Sequence, residues 1–207
     1  MRRPAHLHSF GRRLAMLGLL LAGLMAGGTR GVCAQPPAAA LYGSEEVQAV
    51  VLFNFIRFTE WPAGTLEGDA PFVIGVAGNR ALEDELVALS DKQTVLERRV
   101  RVVRVKTSRD LAGCHVLYIN AVSSPGEEAG PAFGELMPQA RGKPILTVSS
   151  DAGFVKQGGI VNIYKAETGK LRFEIAPDNA KAAGLVLSSR LLSLARVVPG
   201  ADSDKTP

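Results

Sequence analysis

Four short apolar runs, spaced by segments of helical length or by a polar turn, constrain this chain more than any other feature. They are Phe72 to Ala77, Arg99 to Val105, His115 to Ile119 and Pro144 to Val148. Near-continuous apolar strands joined through helices read as a parallel sheet covered on both faces, because each crossover lays a helix against the sheet. Asn79 supplies a side-chain cap for one such helix, with Leu82, Leu86 and Leu89 as its apolar face. A polar turn around Ser108-Arg109-Asp110 links the second and third runs. Pro125 to Ala140 reads as a weaker helix, since Gly130-Pro131 and Gly134 interrupt it. The expected fold is a three-layer α/β sandwich around a mostly parallel central sheet.

Both ends of this series carry their own signals. Ser44 is placed to cap a helix whose first turn holds Glu45 and Glu46, and Val47, Val50, Val51, Leu52, Phe55, Ile56 and Phe58 form its broad apolar stripe up to Trp61-Pro62. Downstream, Gly158-Gly159 precedes Ile160 to Tyr164, and Thr168-Gly169 forms a turn before Leu171 to Ile175, a β-hairpin signature. Pro177-Asp178-Asn179 then opens an expected long C-terminal helix, with Ala183, Leu185, Val186, Leu191, Leu192 and Leu194 on its buried side.

The first 34 residues have the three parts of a cleavable export signal: Arg2, Arg3, Arg12 and Arg13, then an apolar run from Leu14 to Ala26, then the small-residue site Val32-Cys33-Ala34. The run is shorter than the roughly 20 residues a membrane-spanning helix needs. Cleavage after Ala34 is expected, followed by a loose segment 35–43, a single domain over 44–198 and a disordered tail over 199–207. Residues 1–34 hold five of the 24 Lys and Arg but none of the 20 Asp and Glu, so the mature balance is 19 against 20, or −1. The basic character of the whole chain thus belongs to the targeting segment and gives no argument for nucleic-acid binding. Arg98, Arg99, Arg101, Arg104 and Lys106 alternate with valines, as the solvated face of a strand does. Cys114 is the one thiol expected in the mature chain, which leaves it without an internal disulfide partner.

Catalytic constellations are missing from the pattern. Gly75 and Gly78 are not followed by a third glycine at the spacing of a dinucleotide phosphate loop, and neither a nucleophile elbow nor a zinc-protease motif occurs. His115 follows Cys114 directly, and neighbours on a strand point to opposite faces, so His115 reads as a packed core histidine. Glu127-Glu128 and Glu83-Asp84-Glu85 read as solvated helix faces. No metal, cofactor or catalytic residue is expected. Two places can bind: Arg57, Glu60 and Trp61 at the end of the first helix, where Trp61 also suits a packing anchor, and Arg172 with Glu174, which period-two spacing puts on one strand face. In open parallel sheets ligands settle at the carboxyl ends of strands, here Ala77-Gly78-Asn79, Asn120 to Ser124 and Ser149 to Asp151.

An ordered series of blocks resembles the bacterial YfiR family. The blocks are Phe53 to Pro62 (FNFIRFTEWP), Phe72 to Gly78 (FVIGVAG), Cys114 to Ile119 (CHVLYI), Ile145 to Ser149 (ILTVS), Phe154 with Gly158-Gly159-Ile160, Leu171 to Ile175 (LRFEI) and Gly184 to Leu192 (GLVLSSRLL). The resemblance implies a dimeric, non-enzymatic periplasmic regulator. Such a protein restrains an inner-membrane diguanylate cyclase, an outer-membrane partner lifts the restraint, and cyclic di-GMP and biofilm behaviour are the output. A periplasmic small-molecule receptor, with Arg57, Trp61, Arg172 and Glu174 around a pocket, is the alternative. The resemblance also implies a cysteine on the first central strand, paired with the one in the Cys-His motif; here Gly75 stands on that strand instead.

Overall fold

A computed structural model describes residues 44–120, 131 and 133–201. The expected export signal, the segment 35–43, the strand-end residues 121–124, Glu127-Glu128 and the last six residues lie outside the described part.

Helix α1 (Glu45–Arg57) begins where the Ser44 hydroxyl accepts from the Val47 amide at 3.5 Å, with Glu45 and Glu46 in the first turn. Its buried face is Ala49, Leu52, Phe53, Phe55 and Ile56, rotated from the valine stripe so that Val50 is exposed. Gln48 lies on the buried side as well, because its Oε1 accepts from the hydroxyl of the fully buried Tyr118 at 3.2 Å. After α1 come strand β1 (Thr59–Glu60), strand β2 (Phe72–Ala77) and helix α2 (Arg80–Ser90), which the Asn79 side chain caps at Leu82 N, 2.9 Å. Strand β3 (Val100–Arg104), a 3-10 turn at Ser108–Leu111, strand β4 (Val116–Ile119), helix α3 (Phe133–Ala140) and strand β5 (Leu146–Ser149) follow.

Strands β2 to β5 form one sheet with β6 (Val161–Lys165), β7 (Leu171–Ile175) and β9 (Arg196–Val197), in the order β3-β2-β4-β5-β6-β7-β9. All pairings are parallel except the β6-β7 hairpin, in which Asn162 faces Glu174 and Tyr164 faces Arg172. Strand alternation splits the apolar residues between two faces. Phe72, Ile74, Val76, Val116, Tyr118, Leu146, Val148, Val161 and Ile163 pack with α1 and α2. Ala77, Leu117 and Ile119 pack with Leu136, Met137 and Ala140 of α3 and with Phe154. The α/β sandwich, the mostly parallel sheet and the hairpin are those the sequence predicts.

The long C-terminal helix is a correction: the segment divides into α4 (Pro177–Ala182), β8 (Val186–Leu187) and α5 (Ser189–Leu194). Gly184 adopts φ +73°, its amide bonds Lys181 O at 2.9 Å, and the Leu185 amide bonds Ala180 O at 2.9 Å. That pair of bonds is the Schellman arrangement that ends helices at glycine. Two residues of strand then pair antiparallel with β1, Thr59 opposite Leu187 and Glu60 opposite Val186. Ser188 restarts a helix by accepting from Leu191 N at 3.2 Å. Backbone contacts also run past residue 198, where Ala201 N donates to Asn179 Oδ1 at 3.2 Å.

Candidate functional site

Trp61 follows α1 and β1 directly and swings back under the sheet. Its indole Nε1 donates to Pro144 O at 3.0 Å, which ties it to the residue just before β5. Its ring lies 5.3 Å from Phe72 and 6.5 Å, edge-on, from His115, and Phe72 and His115 are 5.7 Å apart. All three rings therefore meet at the amino ends of β2, β4 and β5. His115 is 6 % exposed. Its Nδ1 accepts from Val73 N at 3.0 Å, so the ring proton sits on Nε2 and points to Thr65 O at 3.3 Å. Burial holds this imidazole below the usual histidine range, and Arg101 and Arg98 push the same way.

Beside Trp61 opens a pocket of about 320 Å³, lined by Glu60, Trp61, Leu66, Phe72, Leu96 and Arg98 among others. Leu96 and Glu97 have φ 50° and 62°, both left-handed, and the flanking Val95 and Arg98 exchange backbone bonds at 2.9 and 3.0 Å. This is a two-residue turn of the kind usually built from Asn and Gly, here carrying a leucine that is 56 % exposed. Arg98 Nη1 donates to Ala70 O at 3.0 Å and also to Gly68 O. Leu96, Arg98 and His115 belong to this neighbourhood although the sequence does not single them out for it, since Thr94 to Glu97 contains none of the residues that signal a turn.

Arg57 is exposed at the last turn of α1 and does not line this pocket. Arg172 and Glu174 lie elsewhere. Phe173 between them faces α1, 5.2 Å from Phe55, so both charges project from the other side of β7. The Glu174 side chain is 12 % exposed and ion-paired with Arg196, whose guanidinium also sits 5.9 Å over the Tyr164 ring. Asn162, opposite Glu174, is 4 % exposed, and its Oδ1 has no hydrogen-bond partner among the described residues. The structure thus joins Glu60 with Trp61 and places Glu174 with Arg196, on opposite faces of the sheet; the five sequence candidates do not share one pocket. Arg196 carries no sequence signal, because its partnership arises only when β9 docks on β7.

At the carboxyl ends of β2 and β4 the turn is closed tightly. A side chain at Gly78, φ +81°, would meet Asn120 O at 2.2 Å, and Asn79 is committed to capping α2. Cys114 is buried and unpaired, with its thiol pushed up to about 11 by burial, far from the thiolate a nucleophile needs. A Cβ built on Gly75 would stand 3.0 Å from Cys114 Sγ. No group of three His, Cys, Asp or Glu side chains among the described residues is arranged to hold a metal ion.

Comparison with known proteins follows the same outline. The YfiR/HmsC-like family matches residues 45–196, from the first residue of α1 to the first of β9 and so across the whole sheet. No curated protein matches the chain. With both Trp61 and the Glu174-Arg196 row inside a match that covers well over half its length, the chain belongs to the YfiR/HmsC-like family.

Proposed function

We propose that this protein is a non-enzymatic periplasmic regulator that binds an inner-membrane signalling protein, a diguanylate cyclase, and lowers cyclic di-GMP output. The observation that carries the reading is the family match over residues 45–196, since the family points to periplasmic control of diguanylate cyclase signalling. Site chemistry agrees with a contact role. Both ring nitrogens of His115 are engaged by backbone groups and the Cys114 thiol is held protonated, so neither is poised for proton transfer or attack. No described helix is long and apolar enough to cross a membrane. A cleaved leader ending near Ala34 delivers the domain to that compartment, where it acts as a homodimer released by an outer-membrane-associated partner.

Affinity capture tests this. The tagged, exported protein is crosslinked in cells and recovered from detergent-solubilised inner membranes. A cyclase-bearing membrane protein should be enriched with it, and enrichment should be lost when the domain is kept in the cytoplasm. Recovery without any inner-membrane signalling protein would overturn the reading.

A further inference from the structure

We propose that the outer edge of strand β3 is a docking surface for an extended acidic segment of another protein, which pairs with β3 and lengthens the sheet by one strand. The assignment does not depend on the identity of the membrane partner. β3 ends the sheet on one side, and its register with β2 is regular from Phe72 opposite Val100 to Val76 opposite Arg104. Bonds from Phe72 N to Arg99 O, 2.9 Å, and from Val105 N to Val76 O, 2.8 Å, bracket that ladder. In a parallel pair every second residue bonds the neighbouring strand, so Arg101 and Val103 turn their backbone groups to β2, and Val100 and Val102 turn theirs outward. No described segment bonds the outward amides and carbonyls of Val100 and Val102. Proline, bulges and brevity are usual means of blocking such an edge. β3 is a five-residue run with neither proline nor bulge, whereas β9 at the opposite edge has two residues.

Charge selects the occupant. Arg99, Arg101 and Lys106 are exposed along this edge, and none takes part in an ion pair among the described residues. The neighbouring acids are engaged or lie before the strand: Glu83 pairs with Arg104, the Asp110 carboxylate accepts from the amides of Lys106 and Thr107, and Glu97 belongs to the preceding turn. A second copy of β3 laid along this edge would bring arginine against arginine, which like-charge repulsion opposes. A strand with Asp or Glu at alternate positions instead meets Arg99 and Arg101, which share one face of β3. On the other face Val100 is buried and Val102 half-buried in the core that includes α2, so the intervening positions of the added strand suit apolar side chains. Backbone bonds then supply affinity, and the alternation of acidic and apolar side chains supplies selection.

The test adds the purified protein to fluorescein-labelled peptides of about seven residues, a little longer than a typical strand, and reads anisotropy. A peptide alternating glutamate and valine should bind with a Kd of about 100 μM, and more weakly as salt rises. Its lysine-valine counterpart should bind about tenfold more weakly or not at all. A glutamate-proline peptide keeps the charge but lacks every second amide donor, and it should not bind. Replacing both exposed arginines, Arg99→Glu with Arg101→Glu, should lower affinity for the glutamate-valine peptide about tenfold. Val102→Pro should abolish binding while circular dichroism keeps the folded spectrum, because the amide it removes points outward, where an edge strand admits proline. The double charge variant decides alone where Val102→Pro does not fold. No binding of the glutamate-valine peptide at about 1 mM, equal binding of the glutamate-proline peptide, or unchanged affinity in the double variant would each overturn the proposal. Saturable binding to phosphatidylglycerol vesicles without binding to the peptide would overturn it in favour of a lipid surface.

Discussion

Two regions of the same sheet hold their charged and aromatic residues by different means. At the amino ends of β2, β4 and β5, Trp61, Phe72 and His115 pack against one another with steeply inclined rings, and Trp61 and His115 bond backbone groups at Pro144, Val73 and Thr65. Near the hairpin, Glu174 depends on an ion pair with Arg196, a residue of the two-residue edge strand β9, and the oxygen of neighbouring Asn162 has no hydrogen-bond partner among the described residues. The first is fastened by apolar area and by hydrogen bonds to groups that cannot move away. The second is fastened by a side-chain contact that solvent and salt can weaken. Stability should therefore reside in the first region and adjustability in the second.

The largest expected effect is on the aromatic side. Trp61→Ala should cost about 3 kcal/mol in urea unfolding, because it deletes a half-buried indole and orphans the Pro144 carbonyl. A loss below that of the Glu174 variant described next would break the comparison. Glu174→Gln should cost only about 1 kcal/mol, since Arg196 is 65 % exposed, and the difference from the parent should shrink in high salt.

Between these two lies a change that strengthens the amino-end region. Gly75→Cys puts a thiol beside Cys114, where the built Cβ lies 3.0 Å from Sγ, close to disulfide spacing. Oxidised, the variant should gain about 2 to 3 kcal/mol over its reduced form, with part of the benefit spent moving a Val105 methyl that stands 2.8 Å from the new Cβ. Unfolding with and without reductant measures it. Identical curves would show that the two strands cannot accommodate the bridge.

The smallest effect is a pH dependence confined to the first region. His115 has its folded-state pKa lowered, so the unfolded chain binds the proton more readily. Its contribution is complete above the unfolded value near 6.5 and is lost as pH falls below it, while Val73 N–H loses its acceptor. Melting temperatures from pH 7.5 to 5 should fall more steeply for the parent than for His115→Asn. Parallel profiles would remove His115 from the account.

Much of this was legible in the residues. The strand runs, the caps at Ser44 and Asn79 and the hairpin turn at Thr168-Gly169 are local signals, and the structure keeps them. Trp61 reads as a packing anchor and is one. The C-terminal segment misled because Ala183, Leu185, Leu191 and Leu192 keep helical spacing across Gly184 and Ser188, and the glycine's left-handed conformation outweighs that periodicity. The Glu174-Arg196 pair was invisible for a different reason: a parallel β7-β9 contact is decided by tertiary docking, which no local pattern encodes. The Leu96 turn escaped because it uses residues that turns avoid.

Contact with a membrane signalling protein is the centre of the account, and cellular cyclic di-GMP measures it most directly. Cells lacking this protein should show a several-fold rise in cyclic di-GMP, reversed by the exported chain and not by a version retained in the cytoplasm. An unchanged level on deletion, or full reversal by the cytoplasmic version, would contradict it.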